Sequence, residues 1–215
     1  MTSGVITRAR LRPGAVAAIL ARDARQDGGH ALVWTLFAAR EPGDRDFLYR
    51  EEGDGPQDGY LIVSRGPPAD PDGLWQLESK PYAPELSAGD ALRFVLRVNP
   101  AVTYKDGETT RRADVVMKAK APLDAARRRA IDKDALVRDW LAPRLAERGA
   151  DLGDFALTGW QVRRMGQGGK RRNLAAADTE GTLTVTDPAA FTDLLFAGLG
   201  KARAYGCGLL LVRRA

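Results

Sequence analysis

The first part of the chain mixes strand-like and helix-like patterns of apolar and polar residues. GVITRARLR, from Gly4, alternates apolar and polar positions, which predicts a strand with one buried face. Pro13 and the apolar residues after it predict a helix that ends near Arg25. HALVWTLFA, from His30, is rich in β-branched and aromatic residues and predicts another strand. Three shorter strands are predicted at FLYRE, GYLIVSR and LWQLES.

A second series of elements follows the proline-rich segment KPYAPELSAGD. The predicted strands are ALRFVLRV, FALTGWQVRR, EGTLTVTD and GCGLLLVRR. A long basic connection leads to a helix predicted from about Ile131 to Arg148, which Pro143 kinks or ends early. Another helix is predicted with Asp187 as its cap and Pro188 as its first residue.

This order, β-α-β-β-α-β, is that of a ferredoxin-like domain. The first half fits the same order with its second helix short or absent. The sequence therefore predicts an α+β protein of two tandem ferredoxin-like domains. The predicted boundaries are 1–80 for the N-terminal domain, 81–89 for a linker and 90–215 for the C-terminal domain.

The charge of the chain favours a polyanionic partner and lies mainly in the second half. The 215 residues carry a formal charge of +5. Residues 1–100 have 12 basic and 14 acidic groups, whereas residues 101–215 have 21 and 14. Phosphate contacts are therefore predicted in the C-terminal half, since basic clusters attract polyanions.

Scarce residue types exclude several classes of site. A single cysteine, Cys207, cannot form an intrachain disulfide, and a single histidine, His30, cannot supply a Cys/His zinc cage or a two-histidine metal face. We therefore expect no metal and no cofactor. No apolar run is long enough to cross a bilayer, and the N-terminus lacks the apolar core of a signal peptide. These features predict a soluble, cytoplasmic protein without a membrane partner.

Glycines are concentrated near the C-terminus, in the segment GLGKARAYGCGLLLVRR. Glycines there allow backbone N–H groups to approach a phosphate, and nearby basic side chains add charge. The candidate phosphate-binding residues are Gly198, Gly200, Lys201, Arg203, Gly206 and Gly208. The alternative interpretation is a helix end followed by a tight turn. A Rossmann or P-loop motif is excluded because these glycines follow a helix and precede a strand.

A basic segment without acidic residues, RRMGQGGKRR, lies between two predicted strands. We expect a hairpin whose tip carries positive charge toward a nucleic acid, although a solvated loop is the alternative. The candidate RNA-binding residues are Arg163, Arg164, Lys170, Arg171 and Arg172 here, and Arg111 and Arg112 in the preceding basic connection.

His30 follows Gly28 and Gly29 at the predicted start of a strand. Histidine can act as a general acid or base near neutral pH, so His30 is a candidate catalytic residue. An ordinary surface or packing histidine is the alternative.

Four ordered motifs resemble the CasE-type CRISPR repeat-processing endoribonucleases of type I-E systems, within the RAMP superfamily. The strongest is the glycine-rich segment with its Gly-Cys-Gly-Leu-Leu end. The others are HALVWTLF followed by DFLYR, LRFVLRVNPAVT, and EGTLTVTDPAAF before the last helix. The resemblance covers nearly the full length of the chain.

The resemblance implies a metal-independent endoribonuclease with two ferredoxin-like domains. Members of the family bind the stem-loop of CRISPR repeat RNA and cut at the 3′ base of the stem. The resemblance also implies that His30 is the active-site histidine and that the products have 2′,3′-cyclic phosphate and 5′-OH ends. The implied partners are the repeat RNA and the other Cascade subunits, and the free protein is expected to be a monomer.

Two positions depart from the family pattern around His30. Asp27 replaces a tyrosine three residues before the histidine, and Ala31 replaces an arginine directly after it. Asp27 is a candidate orienting group, and lysine or arginine from the glycine-rich segment or the basic hairpin is a candidate second catalytic group. Two other functions stay open: a non-catalytic subunit that holds stem-loop RNA, and an enzyme that binds a small phosphate compound.

Overall fold

The computed structural model describes residues 3–15, 29–37, 46–53, 58–165 and 172–215. Its first half forms an antiparallel four-stranded sheet in the order β2-β3-β1-β4. The strands are β1 (Gly4–Leu11), β2 (Phe47–Glu51), β3 (Tyr60–Ser64) and β4 (Trp75–Tyr82). Each corresponds to a strand predicted from the sequence. In the centre of the sheet, Thr7 of β1 lies opposite Ile62 on one side and Ser79 on the other.

The strand predicted at HALVWTLFA is wrong, because these residues are helical. Helix α1 (Gly29–Trp34) continues into a 3-10 turn, Thr35–Phe37. Its buried residues Val33, Leu36 and Phe37 follow helical spacing, and the Phe37 ring stacks on Phe47 with 4.2 Å between centroids. Burial of this apolar face against the sheet outweighs the β propensity of the segment.

The helix predicted after Pro13 and the residue Asp27 fall largely outside the described residues. Ala15 is helical, and residues 16–28 are not described. The predicted linker 81–89 begins inside a strand, since β4 ends at Tyr82. The domain boundaries themselves stay a prediction.

The second half forms another antiparallel four-stranded sheet, in the order β10-β5-β9-β8. Its strands are β5 (Ala91–Val98), β8 (Ala150–Met165), β9 (Arg172–Val185) and β10 (Leu210–Arg214). If the four strands of each sheet are numbered from one along the chain, both sheets have the order 2-3-1-4. The described parts therefore form a mixed α and β protein with two antiparallel sheets of like topology.

Both long helices predicted in this half are confirmed. Helix α4 (Lys133–Ala146) begins after Asp132, whose carboxylate accepts a hydrogen bond from the backbone N–H of Ala135. Pro143 lies inside α4 without ending it. Helix α5 (Pro188–Ala197) begins with proline and is capped by Asp187, as the sequence predicts.

The long basic connection contains elements that the sequence analysis missed. A separate hairpin is formed by β6 (Ala101–Asp106) and β7 (Thr109–Asp114), and two short helices follow, α2 (Val115–Lys120) and α3 (Ala125–Arg129). Most side chains of β7 are exposed, so its sequence, TTRRAD, has no apolar alternation that would indicate a strand.

The first sheet is covered on both faces. On one face, α1 packs against Tyr49, Tyr60 and Trp75. On the other face, Leu48 and Val63 belong to the large core of the second half, which includes α5. Strand β2 is therefore held between α1 and the second half of the chain. None of the helices in the described ranges has the length and apolar character that crossing a membrane requires.

Candidate functional site

The glycine-rich segment forms a compact loop between α5 and β10. Gly198, Gly200, Gly206 and Gly208 all have positive φ, between 74° and 92°. A Cβ atom at Gly198 would lie 2.8 Å from the Leu48 side chain, and one at Gly208 would lie 2.8 Å from the Leu199 carbonyl oxygen. The turn itself therefore requires glycine, which agrees with the alternative interpretation of this motif as a helix end followed by a tight turn.

The loop is attached to strand β2 and to helix α1. The Tyr49 hydroxyl donates a hydrogen bond of 2.7 Å to the Ala204 carbonyl. Arg203 donates to the carbonyl of Ala197 at the end of α5. The loop contains a 3-10 turn, Arg203–Tyr205, that contacts both β2 and α1. The structure therefore brings the helix that contains His30 beside the glycine-rich loop, which carries Lys201 and Arg203.

The start of α1 is packed tightly against the first sheet. His30 is the second residue of this helix and follows Gly29, which is buried. A Cβ atom at Gly29 would lie 2.8 Å from Tyr60 Cε1 and 3.0 Å from Glu51 Oε1. Burial also raises the pKa of Tyr60, so its hydroxyl stays protonated. The backbone at His30 is consequently fixed relative to the ends of β2 and β3.

Five charged side chains join the two halves of the chain. Arg97 donates to both carboxylate oxygens of Asp178, at 2.8 and 3.0 Å, and Arg50 donates to the same carboxylate at 3.2 Å. Arg163 Nη1 donates to Glu51 Oε2 at 2.9 Å, and Arg97 Nη1 lies 3.8 Å from that oxygen. We call these residues, Arg50, Glu51, Arg97, Arg163 and Asp178, the inter-sheet ion cluster.

The surroundings of the inter-sheet ion cluster shift the pKa values of its two most enclosed guanidinium groups, Arg50 and Arg97, in opposite directions. Burial lowers the pKa of Arg50, although Asp178 partly opposes this effect. Burial also disfavours the charged form of Arg97, but the hydrogen bond and charge of Asp178 outweigh it and raise the pKa of Arg97. Asp178 accepts two hydrogen bonds from Arg97 and one from Arg50.

Sequence analysis identified only Arg163 among the five residues of this cluster. Arg50 and Asp178 are 128 positions apart, and no local pattern connects them. The structure also assigns Arg163 a partner, since its guanidinium is bound to Glu51. Its predicted contact with RNA has no support in this arrangement.

The remaining predicted RNA-binding residues occupy three regions. Arg164 and Arg172 lie in the paired ends of β8 and β9, which confirms that strands flank the basic segment. Lys170 and Arg171 lie outside the described residues. Arg111 and Arg112 are exposed on the separate β6–β7 hairpin, where Arg111 forms an ion pair of 2.8 Å with Asp106. Lys201 is exposed in the glycine-rich loop.

No group of three or more His, Cys, Asp or Glu side chains within the described ranges is arranged to hold a metal ion.

Cys207 lies between two glycines of the loop and is fully buried. Burial raises the pKa of its thiol to about 12. Because the thiolate is the reactive form, we expect Cys207 to react with a thiol reagent at pH 8 at least about a hundred times more slowly in the folded protein than in urea. Absorbance with a chromogenic disulfide reagent measures both rates. Fast reaction without urea would contradict the buried position.

The fold and the site together define a class: proteins with two antiparallel sheets of like strand order, joined by ion pairs, with a cation-bearing glycine-rich loop beside a histidine-bearing helix. The family model described as "CRISPR associated protein" matches residues 6–214, and the chain belongs to this family. The resemblance to CasE-type proteins predicted from the motifs is confirmed by individual relatives.

Two curated relatives are similar in sequence. The CRISPR system Cascade subunit CasE of Escherichia coli is 30% identical over 186 residues, covering 84% of this chain and 88% of the relative. The CRISPR-associated endoribonuclease Cse3 of Thermus thermophilus is 32% identical over 145 residues, covering 62% of this chain and 60% of the relative.

Solved structures are similar over almost the whole chain. CRISPR endoribonuclease Cse3 bound to a 19-nucleotide RNA matches with a TM-score of 0.71 and 26% identity, covering 99% of this chain and 100% of that chain. The crystal structure of Cas6e from Escherichia coli matches with a TM-score of 0.63 and 22% identity, covering 100% of both chains. The latter similarity concerns the fold alone.

Proposed function

We propose that this protein is a metal-independent endoribonuclease that binds the stem-loop of CRISPR repeat RNA and cuts precursor CRISPR RNA at the base of the stem. The observation that carries the proposal is the contact of α1, which contains His30, with the cation-bearing glycine-rich loop. A general acid or base beside phosphate-binding groups is what RNA cleavage requires. The relative Cse3, named as an endoribonuclease, supports the same conclusion.

The proposed reaction is an intramolecular transesterification. The ribose 2′-OH loses its proton and attacks the adjacent phosphorus, while the bond from phosphorus to the 5′ oxygen breaks and that oxygen gains a proton. The products are a 2′,3′-cyclic phosphate and a 5′-OH. His30 acts as the general base or the general acid, and Lys201 and Arg203 stabilise the negative charge that develops on the phosphate.

We also propose a division of the chain into domains, a partner complex and a location in the cell. The order of elements and the like strand order of both sheets support two ferredoxin-like domains, 1–80 and 90–215, separated by a linker at 81–89. The name of the Escherichia coli relative supports assembly with other Cascade subunits. We propose a cytoplasmic protein that is a monomer before it assembles.

Cleavage in a chelator tests the reaction. The purified protein is incubated with its own repeat RNA in EDTA, and a single cut with a 2′,3′-cyclic phosphate end is expected. Retention of the RNA without a cut would identify a non-catalytic RNA-binding subunit, the alternative that the departures from the family pattern at Asp27 and Ala31 leave open. Binding of a mononucleotide that survives high salt would instead indicate an enzyme for small phosphate compounds.

The basic hairpin between β8 and β9 is expected to supply much of the affinity for RNA. Replacing Lys170, Arg171 and Arg172 by glutamine should weaken binding and reduce the slope of log affinity against log salt by about 0.7 to 0.9 for each phosphate that the variant no longer neutralises. Fluorescence anisotropy over a range of salt concentrations measures both quantities.

A matched control removes the same charge elsewhere. Arg127, Arg128 and Arg129 are all exposed on α3. Their replacement by glutamine should leave the salt slope nearly unchanged. An equal reduction of the slope in both triple variants would show that general charge, rather than the hairpin, determines affinity.

A further inference from the structure

Glu51 lies where three parts of the chain meet. It is the last residue of β2, and its side chain is 19% exposed. Its Oε2 accepts a hydrogen bond from Arg163 of β8 at 2.9 Å and lies 3.8 Å from Arg97 of β5. Its Oε1 lies 3.0 Å from the position of a Cβ atom at Gly29, the residue before His30. One carboxylate thus joins the first sheet to strand β8 and lies close to the start of α1.

The part of β8 that Glu51 holds lies beyond the last pairing of the sheet with β5. The pairing of β5 with β9 ends at Ala177, whereas the pairing of β8 with β9 continues to Met165 and Arg172. The ends of β8 and β9 therefore extend beyond β5 as a two-stranded ribbon, and an isolated pair of strands is only marginally stable.

Ala175 and Ala176 of this ribbon are buried, and among the residues that the structure describes, two side chains outside the ribbon form hydrogen bonds with it. Asn99 donates a hydrogen bond of 2.6 Å to the carbonyl of Ala175 on β9. Glu51 binds Arg163 on β8, three residues before the start of the segment 166–171. The ribbon carries the basic hairpin, so its attachment to Glu51 affects where the hairpin lies.

We propose that Glu51 is a positioning residue for RNA cleavage, which acts by holding Arg163 and so fixing the basic hairpin relative to the helix that contains His30. This inference rests on the proposed function. RNA bound by the hairpin must present one phosphate to His30, and an error of about 1 Å in such an arrangement can lower a rate by up to about a hundredfold. Glu51 contacts no reacting atom in this scheme.

The neighbouring glutamate provides a matched control. Glu52 accepts bidentate hydrogen bonds from Arg8, at 2.8 to 3.0 Å, and both residues belong to the first half of the chain. Glu51→Gln and Glu52→Gln therefore remove the same charge from adjacent positions, but only Glu51→Gln weakens the attachment of β8.

The test measures single-turnover cleavage at saturating repeat RNA, together with the dissociation constant. Glu51→Gln is expected to lower the rate about tenfold and to change the dissociation constant less than about threefold, because it removes alignment rather than binding. Glu52→Gln is expected to cleave within about twofold of the wild type. Equal rates for the two variants would overturn the inference.

A double-mutant cycle with Arg163→Gln separates positioning from a general loss of stability. If Glu51 acts through Arg163, the double variant should cleave no more slowly than the slower single variant. Multiplicative losses in the double variant would overturn the inference. If the wild type fails to cut the RNA, the proposed function is rejected; if it cuts and Glu51→Gln cuts equally well, only the role of Glu51 is rejected.

Discussion

Replacing His30 by alanine is expected to lower the rate of repeat-RNA cleavage about a thousandfold, because general acid–base catalysis contributes about 10² to 10⁴ in rate. Affinity should change little, since the proposed binding groups lie in the hairpin and the glycine-rich loop. The helix should remain intact, because alanine has the highest helix propensity. Single-turnover cleavage and anisotropy measure rate and affinity separately.

Chemical rescue adds a control to this variant. The chain contains one histidine, so the alanine variant carries no other imidazole. Added imidazole should restore part of the cleavage rate if His30 transfers a proton, and should not affect the wild type. Cleavage by the alanine variant at the wild-type rate would contradict the catalytic role of His30 and favour the cations of the glycine-rich loop as the catalytic groups.

The sequence predicted His30 as a candidate but placed it in the wrong element. Counting histidines and comparing motifs needs no knowledge of local structure, so the choice of His30 did not depend on the strand prediction. That prediction relied on Val, Trp, Thr and Phe, whose β propensity is weak beside tertiary packing. Helix α1 forms because its apolar residues pack on the first sheet. The residues that they pack against belong to β2, β3 and β4, so the local sequence does not show this contact.

Elements with a strong local signal were predicted well. Strand β1 alternates buried and exposed residues from Thr7 to Leu11, and α5 has an aspartate cap followed by proline. The glycine-rich loop could be predicted because its positive φ angles favour glycine, so the turn is marked by glycines in the sequence. The β6–β7 hairpin was missed because most of β7 is exposed and its sequence has no buried pattern.

The inter-sheet ion cluster had no such signal in the sequence. An ion pair needs only that two side chains meet in space, and the partners Arg50 and Asp178 come from different halves of the chain. Charge counted along the sequence indicated a near-neutral first half. In the structure, acidic Glu51 of that half binds Arg163 of the second half, so part of the C-terminal excess of positive charge is used within the protein.

Replacing Asp178 by alanine is expected to lower the free energy of unfolding by about 3 to 5 kcal/mol, because it leaves partly buried guanidinium groups without their carboxylate. The side chains of Arg97 and Arg50 are only 13% and 23% exposed. Glu51 is too far from Arg97 for a direct hydrogen bond, with 3.8 Å between the nearest charged atoms. Urea unfolding followed by circular dichroism measures the difference.

Asp106→Ala is the matched control, since it breaks an exposed pair of the same chemistry. Asp106 and Arg111 lie 2.8 Å apart with side chains 55% and 60% exposed, so the loss should be at most about 1 kcal/mol. The shortest N–O distance is thus the same in the two pairs, whereas burial and the number of guanidinium groups bound to the carboxylate differ. If both variants were destabilised equally, the cluster would contribute no more than a surface ion pair, and the apolar contacts of Leu48 and Val63 would be the main attachment between the two sheets.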